Sequence, residues 1–508
     1  MKFPAPIKCD KKIETVRFLT FNVNGIRTLF HYHPFSEMNH SLATVFDHLE
    51  SDIITFQELK IDRASISKWG KTPGFSSFIS IPLTKRGYSG VGCWVRNYPE
   101  EHPLHQPMQV LKAEEGITGI LTIKVGKNNV KYRDDPSIGI GGYEALGISE
   151  NDEKECIKLD SEGRCVMVEL ACNVVVISVY CPANSTLSYE GESFRLKFLT
   201  VLFKRIRNID KMGKKIVLMG DINVCRDLCD NADSLENASI PLNSSMNGIE
   251  LEQKYRELCE AFVLNPETPH RRLFNQLLHD SMISEIASDG ILIDTTRLIQ
   301  TRKRLKMYTV WNTLKNTRSV NYGSRIDFIL IGLVLKDKIE AADILPQVMG
   351  SDHCPVFADL KLQSSGQNEK KLVIKLPKFE ARYKYGLIHG NILEMFGKNG
   401  KSLSTKVATK KSSLSNKTPG VHKQLDLINS PTARPKDGDK STTEIKDNLL
   451  ITHKQKIFGE TPLCKHGLKA ISRTSKTAAN PGKRFWVCKL PKGSSEDISA
   501  SCGFFQWG

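Results

Sequence analysis

Acidic and amide side chains recur at the ends of strand-like segments in the first 360 residues of this 508-residue chain. Five stretches share the pattern: 18–25 (FLTFNVNG), 52–58 (DIITFQE), 217–223 (VLMGDIN), 324–328 (SRIDF) and 350–355 (GSDHCP). One Asp or Asn after a strand is usually a turn residue. Five in one segment favour a site, because strand ends and their loops carry the sites of α/β proteins.

Three of these residues have the chemistry of a metal site. Asn22, Glu58 and Asp352 offer the hard oxygen ligands that Mg²⁺ or Mn²⁺ prefers. His353, next to Asp352, is a candidate general base, and Asp327 is the natural candidate to orient its ring. An isolated Asp-His pair is usually structural, so this interpretation depends on the whole set.

Asp221 and Asn223 add an acid and an amide donor. They are suited to contact a pentacoordinate phosphate or to protonate a leaving oxygen. A metal, a base, amide donors and an acid together predict a phosphodiester hydrolase site.

The elements that must position these residues indicate an α/β domain. Short apolar and β-branched runs predict strands at Val16–Phe21, Ile53–Phe56, Val174–Tyr180, Ile216–Met219 and Ile326–Ile331. Amphipathic periodicity predicts helices at Ser36–Glu50, Glu192–Asn208 and Glu250–Phe262. We therefore expect sheets covered by helices, with residues 126–163 as a polar surface insertion.

The net charge of +16 lies in the C-terminal quarter of the chain. Residues 366–508 hold 27 Lys and Arg and 11 Asp and Glu, which leaves 45 of each sign in residues 1–365. A basic tail predicts an anionic partner, either nucleic acid or a membrane surface. No window approaches 18 consecutive apolar residues, which argues against a membrane span. Residues 363–460 are rich in Ser, Lys, Thr, Asn and Pro, a composition typical of a disordered linker.

Residues 461–508 carry Cys464, His466, Cys488 and Cys502. Three thiolates and one imidazole make a closed tetrahedral zinc site, and metal binding would supply folding energy to so short a segment. The spacing alone leaves unrelated reduced thiols as the alternative. The other ten of the 13 cysteines have no paired spacing and predict reduced, buried thiols.

The large domain resembles the exonuclease III-like AP endonucleases of the endonuclease/exonuclease/phosphatase family. The matching stretches follow in family order: Phe21–Arg27, Phe56–Lys60, Gly87–Gly92, Glu162–Arg164, Val179–Pro182, Gly220–Asn223, Arg325–Phe328 and Ser351–Pro355. The resemblance implies a four-layer α/β sandwich over residues 14–362, with the site at one edge of two packed sheets.

The resemblance also implies residue roles. Tyr180 matches the tyrosine that contacts the scissile phosphate, and Asp221 matches the residue that activates water or protonates the leaving group. Asn223 matches a transition-state contact, Asp327 the partner of the histidine, and His353 the catalytic histidine. The implied Mg²⁺ or Mn²⁺ ligands are Asn22, Glu58, Asp221, Asn223, Asp352 and His353. The general base is either His353 or Asp221.

Some positions depart from the family pattern. Many members carry Asp where this chain has Asn24, so a metal-ligand role for Asn24 is in question. Asn184 stands one residue beyond the position where members often carry an asparagine. Ser324 replaces a tryptophan that lines the pocket for an abasic sugar in some members, and Arg27 and Arg325 join it as expected DNA contacts.

The C-terminal segment resembles the GRF-type zinc finger through Gly482–Cys488 and Cys502–Trp507. This implies binding of single-stranded DNA, with Lys483 and Arg484 among the contacts. The order of domain, linker and finger is that of a eukaryotic subfamily whose members often carry a peptide for the sliding clamp PCNA. Ile392–Phe396 is the nearest candidate, and residual apolar linker residues are the alternative.

We therefore expect a nuclear, or alternatively mitochondrial, metal-dependent phosphodiesterase for damaged DNA. It would cut double-stranded DNA 5′ to abasic sites, remove blocked 3′ ends and act as a 3′→5′ exonuclease in base excision repair. One alternative keeps the fold but acts on another phosphate, as an RNA deadenylase or inositol phosphatase. The other alternative is a non-catalytic DNA-damage scaffold.

Overall fold

A computed structural model describes residues 7, 10–148, 152–185, 188–242, 246–362, 375–387, 462–474, 484–490 and 501–507. The chain divides into two compact units, residues 1–402 and residues 403–508. Within the described ranges, no helix is both long and apolar enough to cross a bilayer.

The larger unit contains sixteen strands among its described residues. They are β1 (Val16–Asn22), β2 (Ile53–Gln57), β3 (Phe75–Ser80), β4 (Val91–Arg96), β5 (Val110–Glu115), β6 (Thr122–Val125), β7 (Asn128–Lys131), β8 (Cys165–Leu170), β9 (Val174–Tyr180), β10 (Lys215–Asp221), β11 (Leu292–Asp294), β12 (Val310–Trp311), β13 (Gly323–Ser324), β14 (Asp327–Gly332), β15 (Ile339–Ile344) and β16 (Val356–Leu360).

Helices lie between these strands. They are α1 (Leu42–His48), α2 (Ile66–Trp69), α3 (Glu153–Asp160), α4 (Tyr189–Lys211), α5 (Ala232–Asn237), α6 (Gly248–Lys254), α7 (Arg256–Leu264), α8 (Pro269–Asn275), α9 (Ser284–Ala287), α10 (Thr295–Gln300) and α11 (Ala381–Lys384).

Two six-stranded sheets form the centre of this unit. Sheet 1 has the order β15-β16-β1-β2-β4-β3, and sheet 2 has the order β11-β14-β10-β9-β8-β5. Alternation along β1 sends Phe18 into the core between the sheets and Leu19 toward the helices outside sheet 1. Along β9, Val176 enters the core between the sheets and Ile177 the core outside sheet 2. The predicted four-layer sandwich is confirmed.

Helix α4 covers the outer face of sheet 2. The Ser188 side chain accepts a hydrogen bond from the Gly191 backbone and caps the helix. Phe198, Leu202 and Ile206 recur every four residues and are fully buried on the sheet. Because the central strands of sheet 2 are apolar on both faces, a helix with one apolar stripe is needed to cover the outer face.

The three predicted helices have other bounds in the structure. The segment Glu192–Asn208 lies within the longer helix α4. The segment Ser36–Glu50 is α-helical only from Leu42, because Asn39 and His40 adopt positive φ and Ser41 caps the helix start. The helical spacing of apolar residues in the sequence therefore extends through a turn that precedes the helix. The segment Glu250–Phe262 belongs to two helices, α6 and α7, which meet at Tyr255.

The insertion 126–163 is not wholly a surface segment. Tyr132 and Leu159 in it are each 1 % exposed, because the insertion packs back on the unit. The nine described cysteines of this unit are buried free thiols, as predicted.

The large unit extends beyond the expected boundary at residue 362. Phe379 and Glu380 are 1 % and 0 % exposed, and a Glu380 carboxylate oxygen accepts from the Ser77 backbone of β3 at 3.4 Å. Lys384 pairs with Glu115 of β5 at 2.5 Å. Residues 375–387 thus cover the edge strands of both sheets and are not linker. Residues 363–374 and 388–460 of the predicted linker lie outside the described residues.

The smaller unit contains a three-stranded antiparallel sheet within its described residues. Its strands are β17 (Ile471–Thr474), β18 (Arg484–Val487) and β19 (Phe505–Trp507).

Candidate active site

Strand register in sheet 2 places three of the predicted site residues side by side. Asp221 is paired with Tyr180 of β9 on one side and with Asp327 of β14 on the other. Each residue lies at the end of its strand that faces the same sheet edge. Asp221 and Asp327 are each 1 % exposed.

Sheet 1 contributes the ends of β1 and β2 to the same edge. Asn22 closes β1 opposite Gln57, and Glu58 follows directly. Glu58, Asn24 and Asn223 all have φ between 45° and 55°, a conformation that non-glycine residues rarely adopt. Such backbone strain occurs at functional sites, where the surrounding structure holds it in place.

Asn22 connects the two sheets. Its amide nitrogen donates to Glu58 Oε1 and to Asp221 Oδ2, each at 2.9 Å. Its amide oxygen accepts from the Asn24 backbone at 3.1 Å. In this orientation Asn22 holds two carboxylates together through its NH₂ group, and a ligand role would require its amide to turn over.

His353 and Asp327 form a buried pair. The His353 Nδ1 lies 2.8 Å from Asp327 Oδ2, which also accepts from the Thr309 hydroxyl at 2.6 Å. Burial acts to lower the pKa of His353, but the charge and hydrogen bond of Asp327 outweigh it, so the pKa is raised. The pair therefore favours the imidazolium form of His353. Asp327 fixes the orientation of the ring, and Thr309 in turn holds Asp327.

The other acidic groups have shifted pKa values for identifiable reasons. Burial, with the Asp327 carboxylate next, holds the pKa of Asp221 well above its ordinary value. Burial also acts to raise the pKa of Glu58, but hydrogen bonds from Lys60 and Asn22 leave that pKa lowered.

Asp352 and Asn24 lie at the outer rim of this cluster. The Asn24 amide donates to Asp352 Oδ1 at 2.9 Å, and its amide oxygen accepts from the Lys60 ammonium. Lys60 also pairs with Glu58 Oε2 at 2.7 Å. The neutral Asn24 thus mediates between a cation and a carboxylate.

Tyr180 is half-buried, and its hydroxyl hydrogen-bonds to Glu58. Burial raises the pKa of that hydroxyl, and the Glu58 charge adds to the shift. The Arg164 guanidinium stacks on the Tyr180 ring at 4.8 Å and donates to the Tyr180 carbonyl at 3.2 Å. Tyr180 is therefore held as a neutral hydrogen-bond donor.

Asn223 and Asn184, which follow strands β10 and β9, have amides that bind different parts of the chain. Asn223 donates to the Cys181 carbonyl at 2.9 Å, which holds its side chain beside Asp221. Asn184 donates to the Ser188 carbonyl at 2.9 Å and accepts from the Ser188 backbone at 3.1 Å. Its amide is occupied in ordering this loop.

The donor set fits a hard divalent cation. Ligand atoms of Asp221, Asp327 and His353 lie within 4.8 Å of one another, and Glu58 shares Asn22 with Asp221. The buried Asp327 Oδ1 has no hydrogen-bond partner among the described residues. An oxygen-rich, acidic cluster of this kind suits Mg²⁺ or Mn²⁺ better than a thiolate-preferring metal.

Comparison with known proteins agrees with this geometry. Residues 19–353 match the model of the Endonuclease/Exonuclease/phosphatase family, and residues 462–508 match the GRF zinc finger. The chain is 56 % identical to DNA-(apurinic or apyrimidinic site) endonuclease 2 of Saccharomyces cerevisiae, with 98 % of each chain covered. The chain belongs to the endonuclease/exonuclease/phosphatase family.

Other relatives carry the same description. DNA-(apurinic or apyrimidinic site) endonuclease 2 of Schizosaccharomyces pombe is 30 % identical, over 97 % of this chain and 98 % of that protein. Among solved structures, the catalytic domain of Xenopus laevis APE2 matches with a TM-score of 0.53 and 26 % identity, covering 72 % of this chain and 97 % of that chain.

Within this family fold, the predicted DNA contacts fall into different environments. Arg27 is exposed and donates to the Ser65 hydroxyl at 2.6 Å. Ser324 is half-buried, and its hydroxyl accepts from Asn231 at 3.2 Å. Lys483 and the side chain of Arg484 lie outside the described residues.

The prediction that Arg325 contacts DNA is wrong. Its side chain is 1 % exposed and donates to Asp230 Oδ2 at 2.8 Å and to Asp294 Oδ2 at 2.7 Å. Arg325 is an internal cation that joins the segment before α5 to strand β11.

Sequence reasoning missed two residues that contact this site. Lys60 stands two residues after Glu58, inside a stretch that carried the family resemblance, so a signal for it was present. Thr309 had no such signal, because its partner Asp327 is 18 residues away.

The finger brings its four predicted ligands together. Ligand atoms of Cys464, His466, Cys488 and Cys502 lie within 4.8 Å of one another. Hydrogen bonds from the backbone, including that of Leu490, lower the pKa of the Cys488 thiol. Three sulfurs and one imidazole nitrogen fit the tetrahedral site of a structural zinc ion.

Proposed function

We propose that this chain is a DNA repair phosphodiesterase that cuts 5′ to abasic sites and trims 3′ ends. The observation that carries the proposal is the convergence of Glu58, Asp221, Asp327 and His353 at one edge of the sandwich. The relatives that match the chain over nearly its full length are DNA-(apurinic or apyrimidinic site) endonucleases, which supports abasic DNA as the substrate. The trimming covers both removal of blocked 3′ groups and 3′→5′ exonuclease activity.

Mg²⁺ or Mn²⁺ is the proposed cofactor of this site. When bound, it would supply Lewis-acid stabilisation of charge on the phosphate oxygens. Its proposed ligands come from the acidic cluster and its rim: Asn22, Glu58, Asp221, Asn223 and Asp352. His353, which was also predicted as a ligand, is not included, because an imidazolium has no free ring nitrogen for a metal. Asn24 is left out of this set because both ends of its amide are occupied by Asp352 and Lys60.

The protein side chains divide the proton transfers among them. Asp327 holds His353 as an imidazolium, which donates a hydrogen bond to the phosphate. Asp221, whose raised pKa makes its carboxylate a stronger base than an ordinary one, takes the proton of the attacking water. It returns that proton to the 3′ oxygen as the bond from phosphorus to this oxygen breaks. The neutral Tyr180 hydroxyl and the Asn223 amide donate to the oxygens of the transition state.

A nuclease assay tests this proposal. The wild-type chain should cleave an abasic duplex and a 3′-blocked duplex in Mg²⁺ or Mn²⁺. Glu58→Gln should lose at least about 100-fold in rate, because it removes a charge from a preorganised site. Glu50→Gln is the matched control, since Glu50 pairs with Arg17 on the surface, away from the candidate site.

Other outcomes favour the alternatives. Preferred cleavage of RNA or of an inositol phosphate would assign the fold to another substrate. No cleavage of any of these substrates by the wild-type chain would favour a DNA-damage scaffold.

The finger is proposed to bind single-stranded DNA by stacking. Phe485 and Trp507 are directly opposed across β18 and β19, and Phe505 lies on the same face. The three ring centroids are 5.1–5.7 Å apart, and Phe505 and Trp507 are 52 % and 42 % exposed. Exposed rings beside the basic Arg473 make a sequence-tolerant stacking surface.

Binding of a labelled oligonucleotide to the full chain tests this face. Phe505→Ala should weaken binding about 5–100-fold, in line with the value of one stacked base. Gln506→Ala, on the opposite face of β19, should leave the affinity unchanged. Removal of zinc by a chelator should weaken binding at least as much as Phe505→Ala does, because so short a unit needs the metal to fold. Equal affinities for both variants would locate the interface elsewhere.

Two further proposals concern partners and location. Ile392–Phe396, outside the described residues, is the proposed site for PCNA, and Leu393→Ala with Phe396→Ala should abolish its capture. Retained capture would refute this location. DNA repair places the chain in the nucleus, with mitochondria as the alternative, and imaging of a fluorescent fusion decides between them.

A further inference from the structure

The Arg318 side chain is directed at the main chain of the loop that carries Asp352 and His353. Arg318 lies in the short 3-10 turn Thr317–Val320, between β12 and β13. Its Nη1 donates to the carbonyls of Ser351 at 3.0 Å and His353 at 3.3 Å. The guanidinium thus binds the residues on both sides of Asp352.

The same guanidinium also binds the start of this loop. Its Nη2 donates to the carbonyls of Pro346 at 3.0 Å and Val348 at 2.7 Å. Four carbonyl oxygens from an eight-residue loop therefore converge on one cation. The bonds to Ser351, His353 and Val348 are partly buried, so loss of the guanidinium would leave these three carbonyls poorly paired, which is unfavourable.

Trp311 fixes the position of the guanidinium. The Arg318 guanidinium lies 4.5 Å from the centre of the Trp311 ring, and Trp311 is 4 % exposed. The Trp311 backbone donates to the Asp352 carbonyl at 3.0 Å, and its indole nitrogen donates to Asn321 at 3.1 Å. One residue therefore anchors both the cation and the loop that the cation binds.

Arg318 is not held by acidic groups. Among the residues that the structure describes, it makes no ion pair, which sets it apart from Arg325. Its hydrogen bonds go to main-chain carbonyls, so it does not occupy the carboxylates of the site that a metal would need. A planar guanidinium donates to several carbonyls while stacking on a ring, and a lysine ammonium cannot do both.

We propose that Arg318 is a positioning residue, which acts through the loop 346–353 to hold Asp352 and His353 against the rest of the candidate site. Gly350 gives the loop a sharp bend: its φ of 121° favours glycine, and a Cβ there would lie 2.8 Å from the Leu29 side chain. Arg318 stabilises that shape. The kinetic consequence rests on the proposed function, whereas the effect on the loop does not.

The test compares Arg318→Ala with Arg207→Ala in the full chain. Arg207 is the matched control, because this half-buried arginine also donates to two main-chain carbonyls, those of Asp289 at 2.6 Å and Gln276 at 2.7 Å, on helix α4 outside the candidate site. For Arg318→Ala we expect kcat on an abasic duplex to fall about 10–100-fold, as for other residues that orient active-site groups, with KM changed less than about twofold. Arg207→Ala should retain kcat.

Two further measurements separate positioning from general stability. Hydrogen exchange of the peptide that spans residues 346–355 should accelerate in Arg318→Ala and not in Arg207→Ala. Added methylguanidinium should partly restore kcat of Arg318→Ala, whereas methylammonium should not.

The outcomes distinguish this proposal from the proposed function. If the wild-type chain cleaves DNA and Arg318→Ala retains kcat, the positioning role is refuted and the function stands. A raised KM with unchanged kcat would instead identify Arg318 as a DNA contact. If the wild-type chain cleaves nothing, the function is refuted, and the exchange of residues 346–355 still decides whether Arg318 holds the loop.

Discussion

Replacing Arg325 with Met separates two roles that an arginine two residues before Asp327 can have. An arginine that contacts DNA would affect binding, whereas a buried cation would affect folding. In the structure Arg325 donates three hydrogen bonds to the carboxylates of Asp230 and Asp294, at 2.7–3.0 Å. Burial acts to raise the pKa of Asp230, but the charges of Arg325 and Arg297 outweigh it and lower that pKa. We therefore expect a loss of stability.

The neighbouring arginines set the size of that loss. Removing one partner of a buried ion pair costs about 3–5 kcal/mol. Asp230 would keep Arg297 at 2.6 Å and Asp294 would keep Arg226 at 3.1 Å, so the lower value of about 3 kcal/mol is expected. A unit of about 370 residues has an unfolding entropy of roughly 0.8 kcal/mol/K, so Tm should fall by about 4 °C.

The assay pairs thermal melting of the full chain with DNA binding over a salt series. Arg27→Met is the control, since Arg27 is exposed. If Arg27 contacts a phosphate, its loss should reduce the slope of log K against log salt by about 0.9 and shift Tm by less than about 1 °C. Arg325→Met should lower Tm and leave the slope unchanged. An unchanged Tm with a reduced slope would refute the assignment of Arg325 to the interior.

Three further perturbations test other parts of the large unit. A chain that ends at Leu362 should melt at a lower temperature than one that ends at Leu387, because only the longer chain keeps the segment that covers β3 and β5; equal Tm values would contradict this. Ser324→Trp should raise abasic-site incision relative to 3′-end removal, since a larger side chain there would line the sugar pocket, and an unchanged ratio of the two rates would count against it. Burial, with the charge of Arg195 next, lowers the pKa of His270 to about 4, so the folded state favours the neutral ring. This contributes up to about 3 kcal/mol above pH 6.5 that is lost as the pH falls from 6.5 toward 4. In His270→Gln, the free energy of unfolding measured by urea denaturation should fall less steeply between pH 6.5 and pH 4 than in the wild-type chain. An identical decline in both chains would show that another group is responsible.

The strands were predicted more closely than the helices, for a physical reason. A strand buried on both faces, such as Val174–Tyr180, is a continuous apolar run whose limits are visible in the sequence. The start of an α-helix depends on one cap, and the segment from Ser36 becomes α-helical only after the cap residue Ser41. The spacing of apolar residues alone does not report this.

The site residues were also predictable where their roles depend on neighbouring residues in the sequence, and not where they depend on distant ones. Asp221 and Asp327 were predictable because their positions at strand ends are local properties of the sequence. The role of Arg325 was not, since its partners Asp294 and Asp230 are 31 and 95 residues away. An arginine that binds carboxylates inside the protein has the same sequence signature as one that binds the phosphates of DNA. Only the fold decides between them.

The distribution of charge leads to the last prediction. The carboxylates of Glu58 and Asp327 lie where we propose that a phosphate binds, and the Lys60 ammonium and the His353 imidazolium balance their charge, so this site supplies little long-range attraction to DNA. Residues 388–508 carry 21 Lys and Arg against 9 Asp and Glu, and they are tethered to the catalytic unit. Tethered cations raise the local concentration of DNA without touching the reacting atoms. A chain that ends at Leu387 should therefore bind DNA with a shallower salt dependence and keep its single-turnover rate at saturating DNA. Titrations across a salt series measure the first quantity and rapid-quench kinetics the second. If the shortened chain kept its salt slope, the cations that attract DNA would lie in the catalytic unit itself; if it lost the single-turnover rate, the tail would take part in the chemical step.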